Sequence, residues 1–318
     1  MAVTSVDVGR RIKFWRESRG LTQEALGTKV GFRDRQTLSD IEAGKRQIAA
    51  DELVLIARGI RVDLESLLDP FLLVGEGRFN FRANKASARE INTFEGIAGN
   101  WIAAYRELSR QAGLEPDRFG TKLELDVHSS FEDAEASADA LRSRWNLGRV
   151  PAVALQAAIE RELGALVLYV DAPARISGAA LHLPGLQTVL VNRGEGPARR
   201  LFDLAHELFH LLTWDAMTPA RVEPIETVAT KGNRIEQLAN KFAAAVLIPG
   251  DVLSQRWISR GSSALDEWGV GTAREFMVSP EALQWRLVGL GLLSKDKVQK
   301  TKPTKPDSAV LPPPLFSA

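Results

Sequence analysis

Cysteine is absent from all 318 residues, which removes disulfide frames, thiolate metal sites and thiol redox chemistry and fits a reducing compartment. No run reaches the roughly 18 consecutive apolar residues of a membrane-spanning helix. The first residues, through Arg11, lack the apolar core of a secretion signal. A soluble, cytoplasmic protein without a membrane partner is the expectation. Charge of one sign is lacking too: the formal net charge is +1, so any nucleic-acid surface has to be sought locally. Histidine is scarce, with 4 in the chain. No internal repeat is found.

What is present is ordinary globular composition, 45% hydrophobic and 25% charged, enough for about two domains. Two of the four histidines fall in one stretch, Pro197 to Leu212. Pro197 suits a first helical position, and Leu201, Leu204, Ala205, Leu208, Leu211 and Leu212 recur at helical spacing with no breaker between them. Within it lies His206-Glu207-x-x-His210. Imidazoles at i and i+4 stand on one helix face, so both can reach one metal ion while the intervening glutamate reaches a water on it. A single histidine on a half-apolar helix is usually a core or surface residue; the pair at this spacing argues against that.

A catalytic zinc takes three protein ligands and leaves a position for water. Arg234 to Pro249 reads as a second helix, stopped by Pro249-Gly250. Glu236, Asn240 and Ala243 share a face of it, so Glu236 could supply a carboxylate and Asn240 could hydrogen-bond the non-metal nitrogen of a ligand histidine. The small residues Ala239, Ala243 and Ala244 would let two helices approach closely. Phe202-Asp203-x-x-His206-Glu207-x-x-His210, followed by Glu236-x-x-Ala239-Asn240-x-Phe242-Ala243-Ala244 and Pro249, resembles the ImmA/IrrE family of bacterial metallo-endopeptidases. The resemblance implies zinc held by His206, His210 and Glu236, with Glu207 as general base. The chain departs from that pattern at Asp203, where Thr is common, and at Phe209, where Gly is common. Neither is a ligand, so the departures bear on packing or substrate access.

Residues 7 to 69 read as short helices: Val8 to Arg19, Gln23 to Val30 capped by Thr22, Arg35 to Glu42, Asp51 to Ala57 and Asp63 to Leu68. Leu21-Thr22-Gln23-Glu24-Ala25-Leu26, followed by Leu38 to Arg46, resembles the Cro/cI-type (XRE) helix-turn-helix, with a turn one residue longer than usual. Leu38 and Ile41 face the core, while Arg35, Gln36, Ser39 and Asp40 face outward near the helix N-terminus that enters the major groove in such domains. Arg35 and Gln36 can pair with base edges, with Ser39 beside them; Gln23, Lys45 and Arg46 are placed for phosphates. Through Glu65 there are 12 Lys and Arg against 10 Asp and Glu, a modest footprint for a nucleic-acid module.

The remaining chain carries no chemistry of its own. Arg78 to Arg82 alternates like a short strand, and Ala88 to Gln111 has helical spacing through Ile91, Phe94, Ile97, Trp101 and Tyr105, read as core. His128 reads as a surface histidine. Two helices from Phe131 to Leu163 lead to an apolar strand, Ala165 to Val170, and to two strands joined around Pro184-Gly185, forming a small antiparallel sheet beside the metal helices. An edge of it could hold an extended peptide by backbone pairing. Tyr169 and His182 lie on these strands and could donate to an oxyanion, but a buried or solvent-facing role is commoner for such side chains, and they stay outside the catalytic set. A closing helix is capped by Ser279.

The expected fold class is multidomain α+β. A five-helix, all-α helix-turn-helix domain (1–70) is followed by a helical connecting region (71–130), a zincin-like α+β peptidase domain (131–293) and a disordered Lys/Pro-rich tail (294–318). The expected function is a DNA-binding regulator with a zinc-dependent endopeptidase domain. The resemblance implies a regulatory, repressor-type protein as substrate, cut in a stress, phage or mobile-element response. Double-stranded DNA is the other partner, and a homodimer is left open. The alternatives are a non-catalytic XRE-family regulator, or an antitoxin-like protein, whose peptidase-like domain serves as a sensor.

Overall fold

The structure is a computed structural model and describes residues 3–114, 121–183, 185–224, 233–262 and 264–298. The side chains of residues 35, 223 and 224 are outside the described set. The tail beyond residue 298, the expected turn residue Pro184 and the side chain of Arg35 therefore lie outside the described residues. The chain forms two compact units, Met1–Arg78 with Asn92–Glu115, and Phe79–Ile91 with Pro116–Ala318. Residues 71–130 are shared between them.

In the first unit each helix begins where a side chain satisfies free backbone donors. Thr4 caps α1 (Ser5–Ser18) in a reciprocal box with Asp7. Thr22 caps α2 (Gln23–Val30), which ends at Gly31 with φ 88°. Asp34 caps α3 (Arg35–Glu42) by accepting from the Thr37 amide at 2.9 Å, which fixes the start of this helix at Arg35. Then come α4 (Ala50–Ile60) and the single turn α5 (Glu65–Leu68). Val8, Ile12, Leu26, Leu38, Ile41, Ile56, Ile60 and Leu67 form the core. Gly9 is obligatory there: a Cβ on it would lie 2.2 Å from the Ile41 carbonyl oxygen.

Polar residues are buried in this unit as well. Arg16 donates to both oxygens of Glu42 at 2.6 and 3.0 Å, and Gln23 adds a hydrogen bond at 2.8 Å. Arg11, with no exposed surface, donates to the carbonyls of Leu67, Asp69 and Leu72 at 3.2, 2.7 and 2.7 Å and to Glu76 at 3.0 Å. Glu76 is also paired with Arg106.

The second unit opens on β1 (Arg78–Ala83). The helix that follows, α6 (Ala88–Gln111), starts in this unit and continues into the first. Its buried apolar side chains are Ile91, Phe94, Ala98, Ile102 and Ala103, whereas Ile97 is 46% exposed and Trp101 and Tyr105 are half-buried. The expected stripe through Ile97 is thus corrected by one position. The apolar spacing was read as three residues after Phe94, where the buried face advances by four.

The unit continues with α7 (Phe131–Arg144), α8 (Leu155–Leu163), β2 (Leu166–Val170), β3 (Ile176–Leu183), β4 (Leu186–Asn192) and α9 (Pro197–Thr213). After these come β5 (Val222–Pro224), α10 (Arg234–Leu247), α11 (Gly250–Ser259), α12 (Leu265–Glu275) and α13 (Pro280–Gly289). Of the expected tail, Lys295–Lys297 forms one 3-10 turn.

The α+β class is as expected, and the sheet is small, in the order β2-β4-β3-β1-β5. The hairpin β3–β4 is antiparallel from Gly178↔Val191 to Leu183↔Leu186. The sheet as a whole is mixed, because β2 runs parallel to β4 and β1 parallel to β5. Sequence-local reasoning finds the hairpin but not the pairing of strands far apart in the chain. Every residue of β4 is buried, so both faces of the sheet centre are covered. α9 packs on β3 and β4 and on α10, and α10 packs on α7. No described helix is long and apolar enough to cross a membrane.

Candidate metal centre

The site is built where α9 meets α10. Leu204, Leu208 and Phe209 of α9 pack with Leu238, Phe242 and the small residues Ala239 and Ala243 of α10, all without exposed surface. Phe209, the departure from the common Gly, has its ring 5.5 Å from that of Phe242. It fills the helix–helix contact. The same close approach aligns one turn of each helix, bringing His206 and His210 opposite Glu236.

The three donor groups converge. His206 Nε2 lies 3.1 Å from Glu236 Oε2 and 3.1 Å from His210 Nε2, and His210 Nε2 lies 3.1 Å from Glu236 Oε1. All three side chains are at most 2% exposed. On the far side of its ring, His206 Nδ1 is 3.0 Å from Asn240 Oδ1. An amide oxygen only accepts, so Nδ1 carries the proton and Nε2 is left with a lone pair facing a carboxylate. Burial, with the Arg82 charge adding to it, pushes His206 down to about 3, so the ring is neutral. The bare His206 Nε2 facing the Glu236 carboxylate is repulsive. A divalent cation resolves that, and tetrahedral zinc separates such ligands by about 3.3 Å. The donor set therefore fits zinc.

Glu207 is fully buried, and neither carboxylate oxygen has a hydrogen-bond partner among the described residues. Burial raises its carboxyl well above the ordinary range; Arg82 opposes this, and Glu236 and Asp203 add to it. Gly178 of β3 faces it, and a Cβ there would lie 3.7 Å from Glu207 Oε1. β3, which carries Gly178, offers no free edge for a peptide to pair with. β1 and β4 take both sides of β3, and the free edges of the described sheet are β2 and β5.

Two residues at this site were not identified as functional from sequence. Arg82 of β1, 2% exposed, donates to Asp203 Oδ1 at 2.7 Å, approaches Asn240 Oδ1 at 3.4 Å and sits over the Phe202 ring. Asp203, with no exposed surface, accepts from Arg199 at 3.1 Å on its other oxygen. Burial works against both charges, raising the Asp203 carboxyl and lowering the Arg82 guanidinium, and their contact is the compensation. The signal available in sequence was the acidic residue at 203 where Thr is common.

Of the remaining candidates, His128 is exposed. His182 stacks on Trp214, and Tyr169 is half-buried beneath the Arg200 guanidinium. On the first unit, Gln36 is exposed and donates to Asp40 at 2.8 Å. Ser39 is half-buried, Lys45 is exposed, and Arg46 pairs with both oxygens of Glu52 at 2.8 and 3.0 Å.

The family model described as IrrE N-terminal-like domain matches residues 160–288, and that described as Helix-turn-helix matches residues 12–67. The chain thus carries a helix-turn-helix domain and, after it, an IrrE-like domain of metallopeptidase type, the order expected from the motifs. No curated protein matches it. Among solved structures, the restriction-modification controller protein C.AhdI from Aeromonas hydrophila matches with 27% identity, over 20% of this chain and 94% of that one, at a TM-score of 0.19.

Proposed function

We propose that the chain is a DNA-binding regulator whose second unit is a zinc-dependent endopeptidase acting on a regulatory, repressor-type protein. The observation that carries the reading is the convergence of His206, His210 and Glu236 beside a buried Glu207 whose carboxylate has no hydrogen-bond partner among the described residues. Zinc bound there would supply Lewis acidity, polarising a scissile carbonyl and making water acidic enough to attack near neutral pH. Glu207, one residue from His206, would be the group that accepts a proton from water and passes it to the leaving amine. A base for this task works best with a pKa raised toward the working pH, the direction in which burial moves Glu207. Asn240 holds the His206 ring through Nδ1. A cavity of about 310 Å³, lined by Leu183, Gln187, Leu212 and Trp214 with Lys122 and Asp215, could receive a substrate side chain. The test is incubation of the zinc-loaded protein and its Glu207→Gln variant with helix-turn-helix regulators encoded beside it. Cleavage by neither rejects the reading.

One observation favours the alternative, a sensor without turnover. The ligands and Glu207 are at most 2% exposed, so a peptide reaches them only if a covering element moves. Zinc binding with no cleavage of any regulator, and a change in DNA affinity on chelation, would select that reading.

The helix-turn-helix domain supports binding of double-stranded DNA. We assign base contacts to Arg35, Gln36 and Ser39 and phosphate contacts to Gln23, Lys45 and Arg46. Gln36→Ala or Arg35→Ala should relax sequence preference by about 1–3 kcal/mol per lost paired contact. Lys45→Ala should weaken all duplexes alike and flatten the salt dependence. Arg46→Ala should do less, because Arg46 must give up Glu52 to reach a phosphate. Titration of specific and random duplexes at two salt concentrations measures this, and equal losses for all variants on both duplexes would contradict the assignment.

A further inference from the structure

We infer that Arg82 is a positioning residue: it fixes the orientation of the Asn240 amide and, through it, the His206 tautomer whose Nε2 is left to bind a cation. The inference rests on the reading of His206, His210 and Glu236 as metal ligands. An asparagine amide has two orientations that exchange its oxygen and its NH2. With Oδ1 toward His206, as here at 3.0 Å, it accepts from Nδ1–H. Turned over, it would donate to a bare Nδ1, the ring proton would move to Nε2, and the ligand would be withdrawn. An isolated His–Asn pair makes a hydrogen bond either way, so by itself it does not choose.

The guanidinium of Arg82 breaks the tie. Its Nη2 stands 3.4 Å from Asn240 Oδ1 and can only donate, so a turned amide would set donor against donor. Arg82 is itself fixed from several sides. Nη1 is bound to Asp203 Oδ1 at 2.7 Å, and Arg199 holds the other oxygen of that carboxylate. The Arg82 carbonyl accepts from the buried Ser177 hydroxyl at 3.3 Å. The acidic residue at 203 thereby gains a reason. It stands one turn before the first ligand on α9 and anchors the cation that β1 delivers to α10.

A purely structural ion pair between β1 and α9 is the rival account, and tautomers separate the two. The experiment uses the full chain, metal-free and 15N-labelled, with long-range 1H–15N spectra of the histidine rings, and zinc affinity by competition titration. The variants are Arg82→Met and the double variant Arg82→Met/Asp203→Leu, which leaves no lone buried carboxylate and so reports even where the single variant fails to fold. Wild type should show His206 protonated at Nδ1. The variants should populate the Nε2-protonated form and bind zinc about 10–100-fold more weakly. Adding Asn240→Asp to the double variant supplies a side chain that accepts in either orientation, and should restore the Nδ1-protonated ring. A folded double variant with the wild-type tautomer and zinc affinity overturns the proposal, as does failure of Asn240→Asp to restore the tautomer. Absence of zinc binding in wild type would reject the metal reading instead, while the metal-free spectra still decide the role of Arg82.

Discussion

Glu207→Gln is expected to retain zinc and to lose about a hundredfold or more of peptidase turnover. Glutamine keeps the length and nearly the shape of the side chain, and in this fully buried position it removes a titratable group without opening a cavity. The ligands are on other residues, so metal content should not follow activity. Glutamine cannot take a proton from water, and no other described carboxylate besides the ligand Glu236 is placed to do so. Asp203, the nearest in sequence, is committed to Arg82 and Arg199. Metal analysis of the purified variant beside its rate on the regulator that wild type cleaves gives both numbers. Turnover equal to wild type would reject Glu207 as the base, and zinc lost together with turnover would make the variant a metal mutant.

The double variant His206→Ala/His210→Ala should hold no stoichiometric zinc, against about one per chain for the wild type, because a single carboxylate is left of a three-ligand site. Folding should survive. The α9–α10 contact rests on Leu204, Leu208, Phe209, Leu238 and Phe242, none of which needs the metal. Circular dichroism beside metal analysis checks both halves of the expectation. Full occupancy in the folded double variant would remove these histidines from the site. Single variants should fall between, with His206→Ala also releasing Asn240 from its 3.0 Å contact.

What was legible in the sequence was what the chain states locally. Both metal helices, their Pro and Gly boundaries, the ligand spacing, the capped helices of the first unit and the β3–β4 hairpin all follow from residues a few positions apart. The Asn240–His206 contact was legible too, because one helical turn after Glu236 leaves few other places for the amide to go. Pairings between distant segments were not. Arg82 meets Asp203 across 121 positions, and nothing in the apolar alternation of 78–83 marks its arginine as buried charge. The parallel pairing of β1 with β5 and of β2 with β4 is equally silent, since parallel neighbours share no turn. Asp203 was visible as a departure from a pattern, but a departure does not name its partner.

The clamp formed by Arg11 sets where a stand-alone DNA-binding fragment can be cut. Proline at 70 looks like a natural end, yet a chain stopped there would lose Leu72 and Glu76, two of the groups around the guanidinium. Arg11 would then be left beneath the surface with its charge unanswered, at a penalty of roughly 3–5 kcal/mol, comparable to the whole stability of a small domain. A fragment carried to residue 78 keeps the four groups that Arg11 binds. Glu76 in turn leans on Arg106, so the residues that finish the reading head come from a helix beyond the first strand of the other unit. For expression and crystallisation, the boundary between the two units cannot be drawn as a single cut in the chain.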